Sequence, residues 1–565
     1  MTIEDINQKV IEEEKSLNIV LRPQQVEACN DILKTFLIDG VKTYILEAPT
    51  GAGKSVIGIV VGNVLTKMSK RGYMLTSDLM LQDQYSKTVS DLKLDYGCVK
   101  GVDNYSCSKN QQKHSLGECH TRGFTSKEIK ALPCYTTCPY YSARDKASKS
   151  NIAILNYNYW LIQLDYVKTH MLPEAAEKLF TERDFTIFDE AHKIPDIVQS
   201  HFAPRFNPEI AKQLKVLDDH LHTRSCTSYQ TLENELLKEE NKKRILEILN
   251  DILGVYNRLI GKFDGIKKWV DVFYINKMPL PPNLSEIVSA CDFVEDLHCK
   301  LEDYLQFIND TGQVSMLKNK QSDTELVYNF INEYWLIRKN LLNASNYRLF
   351  MSATLGKQYD KMIGLNEKFV YKSLDSDFEF KNSDIFVYPY LSLNFKTKNQ
   401  NYPKLVNLID KIISKHQDER GIIHTANYEI MDYILEHSQY KSRLLTYKGS
   451  KEKDLALAAH ILRKNTVLMG PSIFEGLDLK DDLSKFQIIA KIPYPSLGDT
   501  FVKYKFDNNR DWYEWTTQLK IQQALGRSIR HKNDNAVSYI LDSNLKYFLD
   551  NFPEYITDRI KVLED

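Results

Sequence analysis

Residues 41–60 read VKTYILEAPTGAGKSVIGIV, a stretch in which an apolar run meets a glycine-containing loop. The run from Tyr44 to Leu46 favours a buried strand, and the residues after Ser55 follow a helical pattern. A strand, a loop and a helix in this order can wrap phosphate oxygens with backbone N–H groups and a helix N-terminus. The stretch therefore predicts a phosphate site on an α/β fold, with a simple glycine-rich turn as the alternative.

The residues of this loop have separate expected tasks. Gly51 and Gly53 allow the backbone to approach phosphate closely. Lys54 would neutralise charge on the β- and γ-phosphates, and the Ser55 hydroxyl would bind Mg²⁺. The strict motif has glycine where this chain has Ala48. The predicted nucleotide-binding residues of the loop are Ala48, Pro49, Thr50, Gly51, Ala52, Gly53, Lys54 and Ser55.

Two further segments predict catalytic groups. Asp189 and Glu190 follow the apolar run Phe185–Phe188, which places a carboxylate at the end of a strand. Asp189 would bind Mg²⁺ and Glu190 would orient or deprotonate the attacking water, although an acidic helix start is the alternative. In the segment QALGRSIR, Arg527 and Arg530 share a helix face and can clamp a γ-phosphate. Gln523 belongs to the same predicted catalytic set, and a solvated basic face is the alternative.

Length and composition narrow the class of protein. At about 150 residues per domain, 565 residues predict three or four domains. The formal net charge of -1 excludes a wholly basic tail, so a nucleic-acid groove would be locally basic. The acidic N-terminus resembles no secretory signal and no long apolar run occurs, which predicts a cytoplasmic or nucleoid-associated protein without membrane contact.

The order of elements predicts parallel sheets. Strand-like runs alternate with helical stretches, which favours sheets covered on both faces. Residues 205–345 instead follow a helical pattern, as expected of an insertion. The runs lie at 44–46, 73–76, 152–155, 186–188, 348–351, 421–424, 466–469, 487–490 and 538–541.

Five of the nine cysteines fall between positions 98 and 138. In a large protein without an export signal, such a group favours a metal or cluster site over disulfides. Thiolates suit both iron–sulfur clusters and zinc, so spacing alone leaves both open. Structural zinc sites usually have two tight cysteine pairs, whereas only Cys134 and Cys138 are close here.

Together these motifs resemble the XPD/DinG family of superfamily 2 helicases. The resemblance covers nearly the whole chain except the helical insertion. The supporting strings are Arg22-Pro23-Gln24-Gln25, the phosphate loop, Leu75-Thr76-Ser77, Leu81-Gln82-Asp83-Gln84, Asn156-Tyr157, Asp189-Glu190-Ala191-His192, Met351-Ser352-Ala353-Thr354-Leu355, Phe474-Glu475-Gly476-Leu477-Asp478, Pro493-Tyr494-Pro495 and the arginine helix.

The resemblance implies an α/β fold of two RecA-like parallel-sheet motor domains, with a cysteine-rich cluster insertion and a helical arch in the first. It implies ATP, Mg²⁺ and a 4Fe–4S cluster held by Cys107, Cys119, Cys134 and Cys138. It adds Gln25, Gly476 and Asp478 to the nucleotide site, and Thr76, Gln82 and Tyr157 as nucleic-acid contacts. The expected ranges are 1–95, 149–204 and 346–375 for motor domain 1, 96–148 for the cluster, 205–345 for the arch and 376–565 for motor domain 2.

The implied activity is ATP-dependent DNA unwinding with 5′→3′ translocation on single-stranded DNA. Single-stranded DNA and forked or tailed duplex DNA are the expected substrates, with RNA left open as an alternative, and the protein is expected to be monomeric. One alternative is a translocase that remodels DNA or RNA without processive unwinding. A second is a non-catalytic ATP-gated DNA-binding protein, which a damaged nucleotide site would favour; Lys54, Asp189, Glu190 and both arginines are all present.

Overall fold

The computed structural model describes residues 1–49, 51–117, 119, 126–166, 179–180, 182–276, 278, 281–311, 317–322, 325–375, 383–394, 396–471, 473, 481–526 and 535–563. In this part of the chain the strands form two seven-stranded sheets and one three-stranded sheet. The strands are β1 (Thr43–Glu47), β2 (Gly72–Thr76), β3 (Tyr96–Cys98), β4 (Ile152–Asn156), β5 (Arg183–Asp189), β6 (Arg205–Phe206), β7 (Leu317–Ser322), β8 (Glu325–Asn329), β9 (Ser345–Ser352), β10 (Phe369–Ser373), β11 (Ile385–Val387), β12 (Gly421–His424), β13 (Leu444–Leu445), β14 (Val467–Gly470), β15 (Phe486–Ile489), β16 (Val537–Ile540) and β17 (Ile560–Val562).

Helices connect most of these strands. They are α1 (Ile3–Leu17), α2 (Pro23–Leu37), α3 (Lys54–Lys67), α4 (Leu79–Asp91), α5 (Ser126–Ala131), α6 (Pro139–Lys149), α7 (Tyr157–Tyr166), α8 (Ile194–Phe202), α9 (Pro208–Leu221), α10 (Ser225–Lys238), α11 (Lys242–Ile260), α12 (Phe263–Ile275), α13 (Pro282–Thr311), α14 (Tyr334–Asn340), α15 (Tyr359–Ile363), α16 (Lys398–Lys415), α17 (Tyr428–His437), α18 (Ser450–Leu462), α19 (Thr500–Asn508), α20 (Arg510–Leu525) and α21 (Glu554–Thr557). None of these described helices is long and apolar enough to cross a membrane.

The first sheet has the strand order β10-β1-β9-β5-β2-β4-β3, and all its pairs are parallel. Successive side chains of β1 enter opposite cores: Tyr44 and Leu46 pack in one buried cluster and Ile45 in another. Both faces are therefore covered, which explains why β1 is an unbroken buried run rather than an alternating one. This sheet and its covering helices are called the first domain below.

The second sheet has the order β13-β14-β12-β15-β16-β11-β17 and is also parallel throughout. Ile422 and Ile423 face different buried clusters, so this sheet is again covered on two faces. With its helices it is called the second domain below. The fold class expected from the sequence, two parallel-sheet domains, is confirmed.

The predicted strands correspond to β1, β2, β4, β5, β9, β12, β14, β15 and β16, with ends displaced by no more than three residues. Strand β3 extends the first sheet beyond position 95, where the cluster insertion was expected to begin. Between β5 and β9 the chain forms the helices α8–α14, and β6, β8 and β7 add a small antiparallel sheet there. That sheet was not predicted, because two of its strands are short or polar in sequence.

Helix α20 joins the two domains. Trp512 and Trp515 in its first half lie in the buried cluster that contains first-domain Tyr359. Ile521 and Leu525 in its second half lie in a second-domain cluster with residues of β15 and β16. One continuous helix therefore spans the boundary between the two sheets.

Candidate functional site

The phosphate loop lies between the end of β1 and the start of α3. Gly51 and Gly53 have φ values of +87° and +82°, in the left-handed region that glycine adopts at little cost. A Cβ on Gly53 would lie 2.2 Å from the side-chain nitrogen of Gln25. Both the backbone conformation and the lack of space for a Cβ therefore require glycine at position 53. The predicted loop residue Thr50 lies outside the described residues.

Gln25 and Arg22 hold this loop from α2. The Gln25 amide donates from Nε2 to the Ala52 carbonyl at 2.9 Å, and the Arg22 guanidinium donates to the Gly51 carbonyl at 3.0 Å. The Arg22 backbone N–H in turn donates to Gln25 Oε1 at 2.9 Å, which fixes the amide orientation. Gln25 therefore touches the loop itself, which is how it can contribute to a nucleotide site.

Lys54 begins α3 and donates from Nζ to the Ala48 carbonyl at 3.2 Å. Its ammonium is close enough to both carboxyls to act on them: the Lys54 charge helps to lower the pKa of Glu190 and opposes the rise in the pKa of Asp189. The phosphate loop and the acidic segment after β5 therefore face each other, as the sequence analysis expected.

Asp189 is the last residue of β5 and is buried. Burial and the neighbouring Glu190 carboxylate raise the pKa of Asp189. The hydroxyl of Tyr85 on α4 donates to Asp189 Oδ2 at 2.7 Å, and it also interacts with the Ser55 side chain. Tyr85 thus joins the two predicted magnesium ligands. It could not be assigned from the sequence, because a tyrosine on an amphipathic helix carries no distinctive signal.

Glu190 has a φ of +52° and lies beside a polar cluster. Its Oε2 is 3.2 Å from His192 Nδ1 and accepts a hydrogen bond from Ser352 Oγ at 3.3 Å. Although burial opposes it, these contacts with His192 and the charge of Lys54 lower the pKa of Glu190. An ionised carboxylate in this position can orient or deprotonate a water molecule.

His192 and Ser352 link the acidic segment to the Ser-Ala-Thr segment. His192 Nδ1 lies 2.7 Å from Ser352 Oγ, and the Ala48 backbone N–H donates to the Ser352 carbonyl at 2.9 Å. Because β1, β5 and β9 are adjacent parallel strands, their carboxyl ends meet at one sheet edge. His192 and Ser352 therefore lie where they can contact a ligand bound at that edge of the sheet.

The second domain reaches this edge through α20. Gln522 donates from Nε2 to Glu47 Oε1 at 3.3 Å, and the Trp515 indole donates to the Leu355 carbonyl at 2.6 Å. Gln523 lies on the same helix and is partly exposed. Four predicted residues, Gly476, Asp478, Arg527 and Arg530, lie outside the described residues.

The predicted nucleic-acid contacts have internal partners in this structure. Thr76 donates to the Asp78 carbonyl, Gln82 donates to the carbonyls of Val99 and Ile154, and Tyr157 donates to the Asp189 carbonyl at 2.8 Å. All three side chains are buried. They support the first domain here, and their contact with a nucleic-acid strand stays a prediction.

The cysteine module brings together three thiols and one histidine. A Cβ on Gly117 would lie 3.3 Å from Cys107 Sγ and 3.5 Å from Cys119 Sγ. His114 is buried, and its Nε2 lies 2.9 Å from Cys138 Sγ and 3.9 Å from Cys119 Sγ. His114 carries no signal of this role in the sequence, because it stands in no recognisable spacing with the cysteines.

Thiols and an imidazole are donors that suit an iron–sulfur cluster or zinc, so these side chains fit such a group chemically. Cys134 is partly buried and has no side-chain hydrogen bond to the other three thiols or His114 in the described ranges. In those ranges no set of three or more His, Cys, Asp or Glu residues has the arrangement of a metal site. Three of the four predicted ligands therefore lie close together, and the ligand set itself stays a prediction.

Comparison with known proteins agrees with this geometry. Residues 409–559 match the helicase C-terminal domain family, and residues 18–217 match the family described as type III restriction enzyme, res subunit. ATP-dependent DNA helicase YoaA of Escherichia coli is 22% identical over 93% of this chain and 92% of its own length. ATP-dependent DNA helicase XPD of Sulfolobus acidocaldarius is 22% identical over 91% and 95%, respectively.

The fold resembles the structure of S. tokodaii Xpd4, with a TM-score of 0.58, 15% identity, and coverage of 96% of this chain and 100% of that chain. The chain shares with that structure two parallel sheets, and it has a phosphate loop on the first sheet and a helix of the second domain at the same edge. By these similarities, the chain resembles the XPD/DinG-like helicases of superfamily 2.

Proposed function

We propose that this protein is an ATP-dependent DNA helicase that couples Mg²⁺–ATP hydrolysis to 5′→3′ movement on single-stranded DNA and to duplex unwinding. The observation that carries the proposal is the hydrogen bond from Gln522 of the second domain to Glu47, directly before the phosphate loop. A nucleotide on that loop would lie beside a contact between two domains. Hydrolysis could then change the domain contact and move a bound strand.

Residues of the first domain bind the nucleotide in this proposal. The phosphate loop with Lys54 and the N-terminus of α3 holds the phosphates, and Gln25 holds the loop. Ser55 and Asp189 are the magnesium ligands, and the bound ion would neutralise charge that develops on the phosphates. Glu190 orients or deprotonates the attacking water, consistent with its lowered pKa.

Residues of the second domain complete the site. Arg527 and Arg530 clamp the γ-phosphate, with Gln523 beside them and Gly476 and Asp478 contributing to nucleotide binding. Support comes from α20, whose Gln522 and Trp515 already contact the first domain at the phosphate-loop edge. Two guanidiniums stabilise the transition state of phosphoryl transfer most strongly when domain closure brings them next to the γ-phosphate and excludes water.

For the cysteine module, we propose that Cys107, Cys119, Cys134 and Cys138 hold a 4Fe–4S cluster. The support is the convergence of three of these thiols near Gly117 and His114. When bound, the cluster would pin a polar segment that has few apolar residues of its own. The module then forms a rigid wedge on the first domain that separates strands while the motor moves.

The substrate is single-stranded, forked or tailed DNA, and the protein acts as a monomer. Both relatives named above are described as ATP-dependent DNA helicases, which favours DNA over RNA. Thr76, Gln82 and Tyr157 would act on the strand through the backbone segments that they support, since their side chains are buried.

The test is a strand-displacement assay on duplexes with 5′ or 3′ tails of DNA or RNA, combined with phosphate release. With ATP and Mg²⁺ present, we expect the protein to unwind the duplex that has a 5′ DNA tail and none of the other duplexes. Phosphate release without strand displacement would instead identify a translocase. No stimulation of phosphate release by any strand would contradict the motor.

A further inference from the structure

Glu47 is a buried carboxylate to which the mechanism above assigns no part in nucleotide binding or hydrolysis. It is the last residue of β1, directly precedes the phosphate loop and has no exposed surface. Burial raises the pKa of Glu47, since water is replaced by protein around the charge. A charge is rarely kept in such a place unless several donors compensate it.

The donors around Glu47 come from three different segments. Glu47 Oε2 accepts hydrogen bonds from the Gly356 backbone N–H at 2.8 Å and from the Tyr371 hydroxyl at 2.7 Å. Glu47 Oε1 accepts one from Gln522 Nε2 at 3.3 Å. Gly356 follows the Ser-Ala-Thr segment, Tyr371 lies on β10, and Gln522 belongs to α20 of the second domain.

Helix α20 also contacts the loop that contains Leu355 and Gly356. Trp515 donates to the Leu355 carbonyl, and a Cβ on Gly356 would lie 3.1 Å from Gln518 Nε2. Gly356 has a φ of +72°, so this tight approach depends on glycine. The loop is therefore held between Glu47 on one side and α20 on the other.

Resting on the proposed function, we infer that Glu47 is a positioning residue that couples the phosphate loop to closure of the second domain. A displacement of the phosphate loop moves the end of β1, and the Glu47 carboxylate passes that displacement to Gly356 and Gln522. Glu47 needs no contact with nucleotide or DNA for this role. Its two oxygens divide the work: Oε2 serves the first domain and Oε1 serves the second.

This division allows a test by exchanging the two side chains. In Gln522→Glu, a second carboxylate would oppose Glu47 in a buried place. In the double variant Glu47→Gln/Gln522→Glu, the new amide can still accept at one end from Gly356 and Tyr371 and donate at the other to the new carboxylate. Complementarity would be restored with the direction of the hydrogen bond reversed.

The measurements are DNA-stimulated ATP hydrolysis, KM for ATP, and the ratio of DNA affinities with and without AMP-PNP. Gln522→Glu should lower DNA-stimulated kcat by about tenfold or more and bring the affinity ratio towards one, with little change in KM. Gln522→Ala should act in the same direction but less, since it adds no charge. The exchanged pair should recover most of the lost stimulation.

Melting temperatures of all variants show whether each one folds. The inference is overturned if Gln522→Glu and Gln522→Ala both keep the parent's stimulation, or if the exchanged pair is no better than Gln522→Glu alone. If the parent protein itself shows no DNA-stimulated hydrolysis, the proposed function fails instead. The two failures are therefore distinguishable.

Discussion

In the nucleotide site, side chains from distant segments meet at the carboxyl edge of one parallel sheet, whereas in the cysteine module three thiols and an imidazole meet within residues 107–138. Asp189, Ser352 and Glu47 end three adjacent strands, and register alone places them side by side. Cys107 lies in an irregular stretch and His114 in a short 3₁₀ segment, where the described ladder contact is an isolated bridge between Ser106 and Lys113.

This difference concerns what holds each site before a ligand arrives. The sheet edge is fixed by buried strands, so the phosphate loop is preorganised. The described part of the module has no sheet of its own, and its rings Tyr140 and Tyr141 pack against His114 at centroid distances of 4.9 and 5.2 Å. A bound metal group would therefore contribute much more to folding in the module than in the nucleotide site.

The largest expected effect is at the preorganised site. Lys54→Ala should lower ATP hydrolysis by about a hundredfold or more, because it removes the ammonium that stabilises the negative charge of the transferring phosphoryl group. Melting temperature and iron content should stay close to those of the parent, because Lys54 makes a single described hydrogen bond to the loop. Phosphate release, a thermal melt and an iron assay measure these quantities.

Lys34→Ala is the matched control, because Lys34 is an exposed lysine in a surface pair with Asp39. It should hydrolyse ATP like the parent. If Lys54→Ala lost its iron along with its activity, the two regions would not be independent.

The converse test concerns the module. Cys107→Ser should abolish the iron content and the visible absorption and stop unwinding, while part of the ATP hydrolysis remains. The parent should hold about four iron atoms per chain if the cluster is of the 4Fe–4S type. Anaerobic purification, an absorption spectrum and metal counts for iron and zinc are the measurements.

Cys226→Ser is the control, because the Cys226 thiol donates to the Ala211 carbonyl and a hydroxyl can do the same. A parent protein that contained zinc and no iron would contradict the cluster assignment. Unwinding by Cys107→Ser at the parent rate would contradict the proposal that the cysteine module separates the strands.

A smaller effect is expected from Tyr85→Phe. Removing the hydroxyl leaves Asp189 without the donor at 2.7 Å that orients it, so the Mg²⁺ concentration for half-maximal hydrolysis should rise about tenfold. A magnesium titration of ATP hydrolysis measures this. Tyr96→Phe is the control, since the Tyr96 hydroxyl makes a long 3.4 Å bond to Ile59; an unchanged magnesium requirement in Tyr85→Phe would show that Asp189 needs no such support.

The smallest effect is expected at His114. A protonated Nε2 can donate to Cys138 Sγ at 2.9 Å, and such a bond stabilises the reduced, more negative cluster. His114→Phe should therefore keep the iron but lower the reduction potential by about 50 mV, the equivalent of about 1.2 kcal/mol. Redox titration followed by absorption tests this; loss of iron in His114→Phe with retention in Cys134→Ser would instead make His114 the fourth ligand.

Much of the nucleotide site could be predicted because its residue types stand next to strand ends in the sequence. Lys54, Asp189 and Glu190 face each other as expected. Tyr85, Glu47, Gln522 and His114 could not be assigned in this way, because each acts through a partner far along the chain or across a turn. Their residue types occur throughout the sequence without any distinctive spacing.

The sequence by itself determined the two parallel sheets, the phosphate loop and the acidic segment, since apolar periodicity and glycine placement are local properties of the chain. Only the tertiary structure decided that α20 spans both domains, that Glu47 receives donors from three segments, and that His114 joins the thiols. The physical reason is that a hydrogen bond between distant residues depends on sheet order and helix packing, which no short stretch of sequence specifies.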